Sequence, residues 1–364
     1  MQRTLILLVS FLAISAAGPA GPARAADADE TFKAITKASV FDHIVPRYEK
    51  LSTAGAGLEV AATDYCQDRT AQSFATLDNA FRGYWITWAG IRHIQFGPVQ
   101  FENRGFRVQF WPDFRNKTGK QLSRVLAAED RTALEKETFA KTSIAVQGLP
   151  AMERLLVDGH AGFADTKGSF KCALAETIAR NLATIAKGIA ADWNPTDGYA
   201  HTVATAGTGD SPYAEAYEVP VELLQSLLGE LEASHDVRLG RPLGSEVDKA
   251  RPKLAEAWRN SQSKAILVTT LKGTGDLYLS GGFDRALRDA GERALADRIT
   301  AGFQKTITEA DALEGSLYDA FTAPKGREKL ETIRADLKIL TGLIGTDLAV
   351  ALDISPGFNS RDGD

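Results

Sequence analysis

The sequence predicts an all-α protein made of two helical, four-helix-bundle-like domains that pack together. Three observations lead to this prediction. Apolar residues recur at spacings of three and four, the period of an amphipathic helix, over long stretches in both halves of the chain. The second half shows no alternation of the kind that strands require. The chain of 364 residues is also longer than a single core usually supports.

The chain begins with the pattern of a secretory signal peptide, which we assign to residues 1–25. Arg3 precedes an apolar run from Leu5 to Ala17, and Ala23-Arg24-Ala25 supplies the small residues of a cleavage site. That run is short for a bilayer span, and no later segment approaches roughly eighteen uninterrupted apolar residues. The sequence therefore predicts a periplasmic or secreted protein, cleaved near Ala25, with no membrane span in the mature chain.

The net charge and the cysteine content of the chain bear on its partners and on its covalent structure. The formal net charge is −5, and removing residues 1–25, which contain two arginines and no acidic residue, makes it −7. This mild acidity argues against nucleic acid as a partner. Cys66 and Cys172 are the only cysteines. An even count in an exported chain predicts one disulfide between them, closing a loop of about 106 residues.

The first domain is predicted to span residues 26–205 and to contain four helical stretches. These are residues 31–51, 58–93, 132–147 and 171–192. The second stretch carries an apolar stripe from Phe74 to Ile91, which predicts a deeply buried helix. Apolar and other residues alternate from Phe106 to Phe110, and we interpret this segment as a loop rather than a short strand.

Arg82 and Trp85 lie off the apolar stripe of the second helix, one turn apart. One interpretation is that the two side chains form a cationic and aromatic wall of a pocket. The other is an arginine that extends over an aromatic ring at the protein surface. Both remain hypotheses for this pair.

A proline interrupts the helical pattern in the middle of the chain and brings a carboxylate near a helix start. Because Pro150 lacks an N–H, the stretch 132–147 is expected to end at Gly148, with Pro150 as the first residue of a new helix. Glu153 falls on the shoulder of that helix's apolar stripe, which predicts a half-sheltered carboxylate near free N–H groups. The stripe consists of Leu149, Met152, Leu155 and Leu156. Glu153 is either a helix-start carboxylate that complements the helix dipole or part of a site.

The second domain is predicted to span residues 206–364, after a Gly-, Thr- and Ser-rich boundary at Gly198 to Pro212. Its predicted helices are residues 221–235, 254–272, 283–309 and 327–352. Arg238 to Arg251 forms a connection interrupted by Gly and Pro. Pro356 ends the last helix, and the polar tail Gly357 to Asp364 follows.

Five separated segments of this chain resemble the imelysin family. Gly148 to Glu153 is similar to the family's Gly-x-His-x-x-Glu motif, with Pro150 in place of the histidine. The other segments are His43 to Tyr48, Phe110 to Leu122, Leu239 to Leu243 with Glu256 to Ser261, and the tail Gly357 to Asp364. The resemblance implies a pair of helical bundles with the Gly148 to Glu153 segment near their interface, in an exported protein linked in bacteria to iron uptake.

The resemblance and the residue types together suggest a ligand or metal site. Its candidates are Gly148, Pro150, Glu153, Asn359, Asp362 and Asp364. Oxygen ligands suit hard cations, so Glu153 and Asp362 are the proposed ligands of a divalent metal or iron. We expect Glu153 and the tail to converge on one site between the domains. The alternative for the tail is a polar terminus without a binding role.

Two functions follow. The first is a non-catalytic metal- or ligand-binding component of iron uptake, with iron-uptake components of the cell envelope as partners. The second is a metallopeptidase with a non-standard metal site. Peptidase chemistry needs a metal held by several protein ligands together with a base, and Pro150 removes the histidine that the resemblance would supply. We therefore expect the binding component, with no catalytic residue assigned. A scaffold that only recruits partners is a third interpretation.

Overall fold

The structure is a computed structural model, and it describes residues 22–163 and 168–354. Within these ranges every regular element is helical and none is a strand, so the predicted all-α class is confirmed. Residues 1–21 of the predicted signal peptide and the whole Gly357 to Asp364 tail lie outside the described residues. In the described part of the chain, no helix is both long and apolar enough to cross a membrane.

In the described part of the N-terminal half, the chain forms nine α-helices. They are α1 (Pro22–Ala38), α2 (Val45–Asp68), α3 (Ala71–Ala89), α4 (Arg104–Val108), α5 (Lys117–Ala128), α6 (Lys136–Phe139), α7 (Leu149–Leu156), α8 (Gly168–Asp192) and α9 (Tyr199–Ala204). A π-helical turn, Ser39–Ile44, joins α1 to α2. Short 3-10 turns lie at Gly97–Val99, Phe101–Asn103, Arg131–Leu134, Ile144–Val146 and His160–Phe163.

Up to residue 354, where the description ends, the C-terminal half adds eight α-helices. They are α10 (Glu218–Glu232), α11 (Arg241–Leu243), α12 (Ser263–Ser280), α13 (Phe283–Asp289), α14 (Arg293–Asp311), α15 (Leu317–Ala320), α16 (Pro324–Gly342) and α17 (Ala349–Ala351). Two π-helical turns extend α10 and α16, at Ala233–Gly240 and Leu343–Leu348. The remaining 3-10 turns are Val247–Lys249 and Pro252–Leu254.

One predicted helix, residues 58–93, is two helices in the structure. The break lies at Arg69, which has a left-handed φ of 49°. Thr70 then starts α3 with reciprocal caps, because its Oγ1 accepts from the Ser73 N–H at 3.1 Å and its own N–H donates to Ser73 Oγ at 3.2 Å. The apolar period continues across this break, so periodicity alone could not locate it.

The prediction of one helix over residues 132–147 is also wrong, since the one-turn helix α6 and two 3-10 turns replace it. Side-chain acceptors stabilise these turns: Asp130 Oδ1 accepts from the Thr132 N–H at 2.9 Å, and Ser143 Oγ accepts from the Ala145 N–H at 3.3 Å. Such side chains compete with helical hydrogen bonds. The segment interpreted as a loop, Phe106 to Phe110, begins inside the short helix α4.

Two helices of the second half start or end elsewhere than predicted. The predicted helix 254–272 begins only at Ser263, because the preceding turn places Ala257 at a left-handed φ of 51°. The predicted helix 283–309 is divided between α13 and α14, where Gly291 has a φ of 86°. Both breaks depend on backbone conformations that apolar spacing does not reveal.

The core of the N-terminal half is formed by α2, α3 and α8. Tyr84 Oη of α3 donates to the Leu182 carbonyl of α8 at 3.2 Å. The predicted disulfide between Cys66 and Cys172 is confirmed, and it joins α2 to α8 with the two Cα atoms 5.5 Å apart. This bond therefore ties together two of the three helices that form this core.

The two halves meet along α3 and α12. A Cβ added to Gly273 of α12 would lie 2.4 Å from the Gly90 carbonyl oxygen, so only glycine permits this approach. Ser39 Oγ donates to the Gly281 carbonyl at 2.9 Å across the same junction. Buried apolar residues from both halves form one continuous cluster. The division into two domains at residue 205 stays a prediction.

A buried histidine pair lies beside this junction. The His43 Nε2 and His93 Nε2 atoms are 2.7 Å apart, and both side chains are fully buried. Burial lowers the pKa of His93 to about 3, with Arg47 and Arg92 adding to the shift. Burial, followed by His93 and Arg47, also lowers the pKa of His43. Both imidazoles are therefore neutral in the folded protein at neutral pH.

This pair predicts a loss of stability in mild acid. The unfolded histidines take up protons as the pH falls below about 6.5, whereas the folded pair resists protonation. The stability that the neutral pair contributes is therefore fully present above pH 6.5 and is lost as the pH falls toward 3, by about 4 kcal/mol for the two histidines between pH 7 and pH 5. Urea unfolding at both pH values measures it. The double variant His43→Gln/His93→Gln should lose most of this dependence, whereas surface variant His201→Gln should keep it.

Candidate functional site

A cavity of about 440 Å³ opens where the two halves meet. Its walls come from the end of α3, the segment that leads through α4 to Pro112, the end of α10 and the π-helical turn after α10. The lining residues are Trp88, Arg92, Ile94, Gln95, Val99, Gln100, Asn103, Gly105, Phe106, Gln109, Trp111, Pro112, Glu230, Ala233, Val237 and Arg238. The volume lies within the ~300–1,000 Å³ that is usual for small-molecule sites.

Glu256 organises the buried charges beside this cavity. Its Oε1 accepts from Gln109 Nε2 at 2.6 Å, from Trp85 Nε1 at 3.0 Å and from the Arg92 guanidinium. Its Oε2 accepts from Arg238 Nε at 3.2 Å. Burial opposes ionisation, but the charges of Arg92 and Arg238 outweigh it and hold the pKa of Glu256 below its usual range. Because its hydrogen-bond donors come from both halves of the protein, the Glu256 carboxylate joins the two halves.

Arg92 lies at the centre of this network. Its Nη2 donates to Thr270 Oγ1 of α12 at 2.6 Å while its Nη1 faces Glu256. Gln109 Oε1 accepts from Trp88 Nε1 at 2.7 Å, which orients the amide so that its nitrogen points to Glu256. The polar groups at the floor of the cavity are therefore held in place by one another.

Arg238 is the second buried arginine that lines the cavity. Its Nη1 lies 2.7 Å from Glu230 Oε1, and its guanidinium carbon is 5.4 Å from the centre of the Trp111 ring. Burial and the nearby Arg92 lower the pKa of Arg238. The π-helical turn Ala233–Gly240 supplies Ala233, Val237 and Arg238 to the wall. Such turns are often found at functional sites.

Glu153, by contrast, lies outside the cavity lining and contacts a turn of the C-terminal half. Its side chain is only 4% exposed, more buried than the half-sheltered position expected from the sequence. Its Oε1 accepts from the Arg259 N–H at 3.1 Å, and its Oε2 is 3.6 Å from Arg259 Nη1. Burial raises the pKa of Glu153, and the contacts with Arg259 partly oppose that shift. The carboxylate thus ties α7 to the turn before α12.

Three of the six residues predicted for the ligand or metal site, Gly148, Pro150 and Glu153, lie in the described part of the chain. The break at Gly148 is present, with Gly148 as the N-cap of α7, but the helix begins at Leu149, one residue before the predicted first residue Pro150. Among residues 22–163 and 168–354, no group of three or more His, Cys, Asp or Glu side chains is arranged to hold a metal ion. Asn359, Asp362 and Asp364 lie outside the described residues. Their convergence with Glu153, and metal binding by Glu153 and Asp362, therefore stay predictions.

Gly148 is required by a close backbone approach. A Cβ at this position would lie 2.2 Å from the Val108 carbonyl oxygen and 2.3 Å from that of Arg107. We expect Gly148→Ala to lower the free energy of unfolding by about 1–3 kcal/mol, because two backbone carbonyls must move. Gly57→Ala is the matched control, since a Cβ there meets nothing within 4 Å on the exposed face of α2. Urea unfolding should show a cost at Gly148 and a small gain at Gly57.

Arg82 and Trp85 do not form a pocket wall together in this structure. Arg82 faces outward, where its Nε donates to Asp78 at 2.6 Å and its Nη1 donates to the Asn260 carbonyl at 2.8 Å. Trp85 is 1% exposed and donates to Glu256. The two side chains therefore diverge, and neither lines the cavity. The alternative of an arginine over a surface ring is also wrong, because Trp85 lies in the core.

Four residues of this network, Arg92, Glu230, Arg238 and Glu256, are not among the site residues predicted from the sequence. A signal for two of them was present, because Arg92 follows Trp88 by four residues and Glu230 follows Leu227 by three, so both charges fall on apolar helix faces. Charged side chains are almost never fully buried unless they are paired. A search for charges on apolar stripes would have found these two residues, although not their partners.

This chain is similar in sequence to a known protein family and to a curated protein. A family model described as Imelysin matches residues 44–343. The curated protein "Iron-regulated protein A" of Synechococcus elongatus is 25% identical over 239 residues, which cover 65% of this chain and 61% of that protein. The chain therefore matches less than two thirds of that relative's length.

Two solved structures share the fold. One is an imelysin-like protein from Psychrobacter arcticum, with a TM-score of 0.76 and 22% identity, covering 91% of this chain and 98% of that one. The other is from Parabacteroides distasonis and is described provisionally as an iron-regulated protein A precursor. Its TM-score is 0.72 at 12% identity, and the match covers 91% of this chain and 96% of that one.

Proposed function

Because the chain belongs to the imelysin family, we propose that it is an exported protein that binds a small ligand, without catalysis, as part of iron uptake. The cavity between the two halves carries this proposal. It combines a volume of about 440 Å³ with two buried arginines and aromatic walls. The link to iron is supported by relatives described as iron-regulated. Partners among the iron-uptake components of the cell envelope are part of the proposal.

The polar floor of the cavity supports binding. Arg92, Gln109 and Arg238 are held by Glu256 before any ligand arrives, so little side-chain freedom remains to be lost on binding. The walls come from both halves, and a ligand would contact α3 and the turn after α10 together. Preformed cavities with a few fixed polar groups are typical of small-molecule sites.

Peptidase activity is the second candidate, and the motif region gives it little support. Pro150 has no side-chain atom that can bind a metal. The Glu153 carboxylate faces the backbone N–H and the guanidinium of Arg259, so it is already used as a structural acceptor. A general base must instead reach a substrate proton or water. We therefore expect no chelator-sensitive cleavage of an unstructured peptide, and cleavage that disappears in Glu153→Gln would favour the peptidase.

Export is supported by the charge and apolar pattern of residues 1–25 and fits the disulfide between Cys66 and Cys172. Cell fractionation followed by N-terminal sequencing of the mature protein tests it. The proposal expects a mature chain that begins near Ala26 in the periplasm or medium, and an uncleaved protein in the cytoplasm would contradict it.

The iron link is tested by complementation in the native host. A strain without the protein is expected to grow poorly when iron is limiting, and the wild-type chain should restore growth. Arg238→Gln should restore it poorly, because it removes one cationic wall of the cavity. Arg285→Gln is the matched control, since this arginine is 87% exposed and is not one of the residues that line the cavity. If both variants restore growth equally well, the cavity is not needed for iron uptake, and this part of the proposal is wrong.

A further inference from the structure

We infer that the cavity binds an electrically neutral organic molecule with a planar unsaturated group that carries a hydrogen-bond donor beside an acceptor. This inference deepens the proposed function and rests on its claim that the cavity is the ligand site. Three features of the described residues support it: the balance of buried charges, the polar atoms left without partners, and the aromatic walls.

The buried charges at the cavity already balance. Arg92 and Arg238 are positive, Glu230 and Glu256 are negative, and all four side chains are buried. They lie in ion-pair contact as Arg92 with Glu256, Arg238 with Glu256, and Arg238 with Glu230. A bare cation or an anion would leave one charge without compensation in a region of low dielectric, which is costly. A neutral ligand avoids this cost.

Three polar atoms in this network have no hydrogen-bond partner among the described residues. Two are donors, Arg92 Nε and Arg238 Nη1, and one is an acceptor, Glu230 Oε2. All three residues line the cavity. Arg238 Nη1 lies close to Glu230 Oε1 as an ion pair, but the geometry is not that of a hydrogen bond. The three atoms have almost no accessible surface, so they must turn toward the cavity when a ligand binds; a group with an acceptor for an arginine and an N–H or O–H for Glu230 would then satisfy both kinds of atom.

The remaining walls suit a flat group. Trp88, Phe106 and Trp111 line the cavity, and the Arg238 guanidinium already lies over one face of Trp111. Aromatic side chains pack well against planar ligands, and an engineered cavity of about 150 Å³ accommodates benzene. The volume of about 440 Å³ therefore holds a ring together with polar substituents. A primary carboxamide on an aromatic ring is the simplest probe of this description.

The test uses three probes with the same ring and nearly the same size. Benzamide is neutral, benzoate is an anion and benzamidinium is a cation at neutral pH. Binding is followed by tryptophan fluorescence, because Trp88 and Trp111 line the cavity. We expect benzamide to bind at least tenfold more tightly than either charged probe, and ferric ion alone to leave the benzamide affinity unchanged. Equal or tighter binding of a charged probe, or no binding of benzamide, would overturn the inference.

A charge variant makes the test independent of the absolute affinities. Glu230→Gln leaves the network with one net positive charge, so the preference should shift at least tenfold toward benzoate. The exposed variant Arg285→Gln should keep the wild-type ranking. If Glu230→Gln does not fold, the ranking of the three probes by the wild-type protein decides alone. If benzamide is preferred as expected but Arg238→Gln fully supports growth on limiting iron, the ligand chemistry stands and the proposed role in iron uptake fails.

Discussion

Replacing Glu256 with alanine is expected to lower the free energy of unfolding by about 3–5 kcal/mol, the range for breaking a buried ion pair. The carboxylate is 3% exposed and lies against two buried arginines, Arg92 and Arg238. Alanine would leave both guanidiniums short of a counter-charge and would remove the acceptor used by Gln109 and Trp85. Urea unfolding measures the change, provided that the free energy of unfolding depends equally steeply on urea concentration in both proteins.

Glu246→Ala is the control for this experiment, because Glu246 is 64% exposed and pairs only with the exposed Lys249. It should change the free energy of unfolding by less than about 0.5 kcal/mol. A loss below about 1 kcal/mol for Glu256→Ala would contradict the claim that this network holds the two halves together.

Removing the disulfide is expected to cost nearly as much. The bond between Cys66 and Cys172 closes a loop of 106 residues and constrains the unfolded chain. The loop-closure entropy corresponds to about 4–5 kcal/mol, although native-state effects reduce it in many proteins. The Cys66→Ala/Cys172→Ala variant should therefore unfold at clearly lower urea concentration than the oxidised wild type.

Reduction of the disulfide is the control for the comparison of wild type and double variant. Dithiothreitol should lower the stability of the wild type toward that of the double variant and should leave the variant unchanged. A double variant as stable as the oxidised wild type would show that the bond constrains little of the unfolded chain.

Much of the fold follows from apolar spacing. The predicted helix 327–352 corresponds to α16 and the turns after it, and its apolar residues at spacings of three and four, Leu330, Ile333, Leu337 and Leu340, are buried. Helix ends were harder, because they depend on single residues. The reciprocal caps of Thr70 and Ser73 break a helix whose apolar period does not change, and Ala257 delays another by adopting a positive φ. These breaks depend on the backbone conformation of single residues, which the spacing of apolar residues does not reveal.

The site was less predictable than the fold for a different reason. Arg92 and Glu256 are separated by 164 positions, and nothing near either residue identifies its partner. Glu153 was singled out by its motif, and the structure places it against Arg259, 106 positions away. The sequence could thus mark individual charged residues on apolar faces. Their pairing is set by the way α3, α10 and the turn before α12 meet in three dimensions.

The central claim is that the ligand binds in the cavity beside Arg92 and Arg238 rather than at the Gly148 to Glu153 motif. Native mass spectrometry tests it on protein isolated from the host grown with limiting iron. Wild-type protein and Glu153→Gln should both carry a small organic adduct, whereas Arg238→Gln should lose it. An adduct that persists in Arg238→Gln and disappears in Glu153→Gln would place the ligand at the motif and contradict the account.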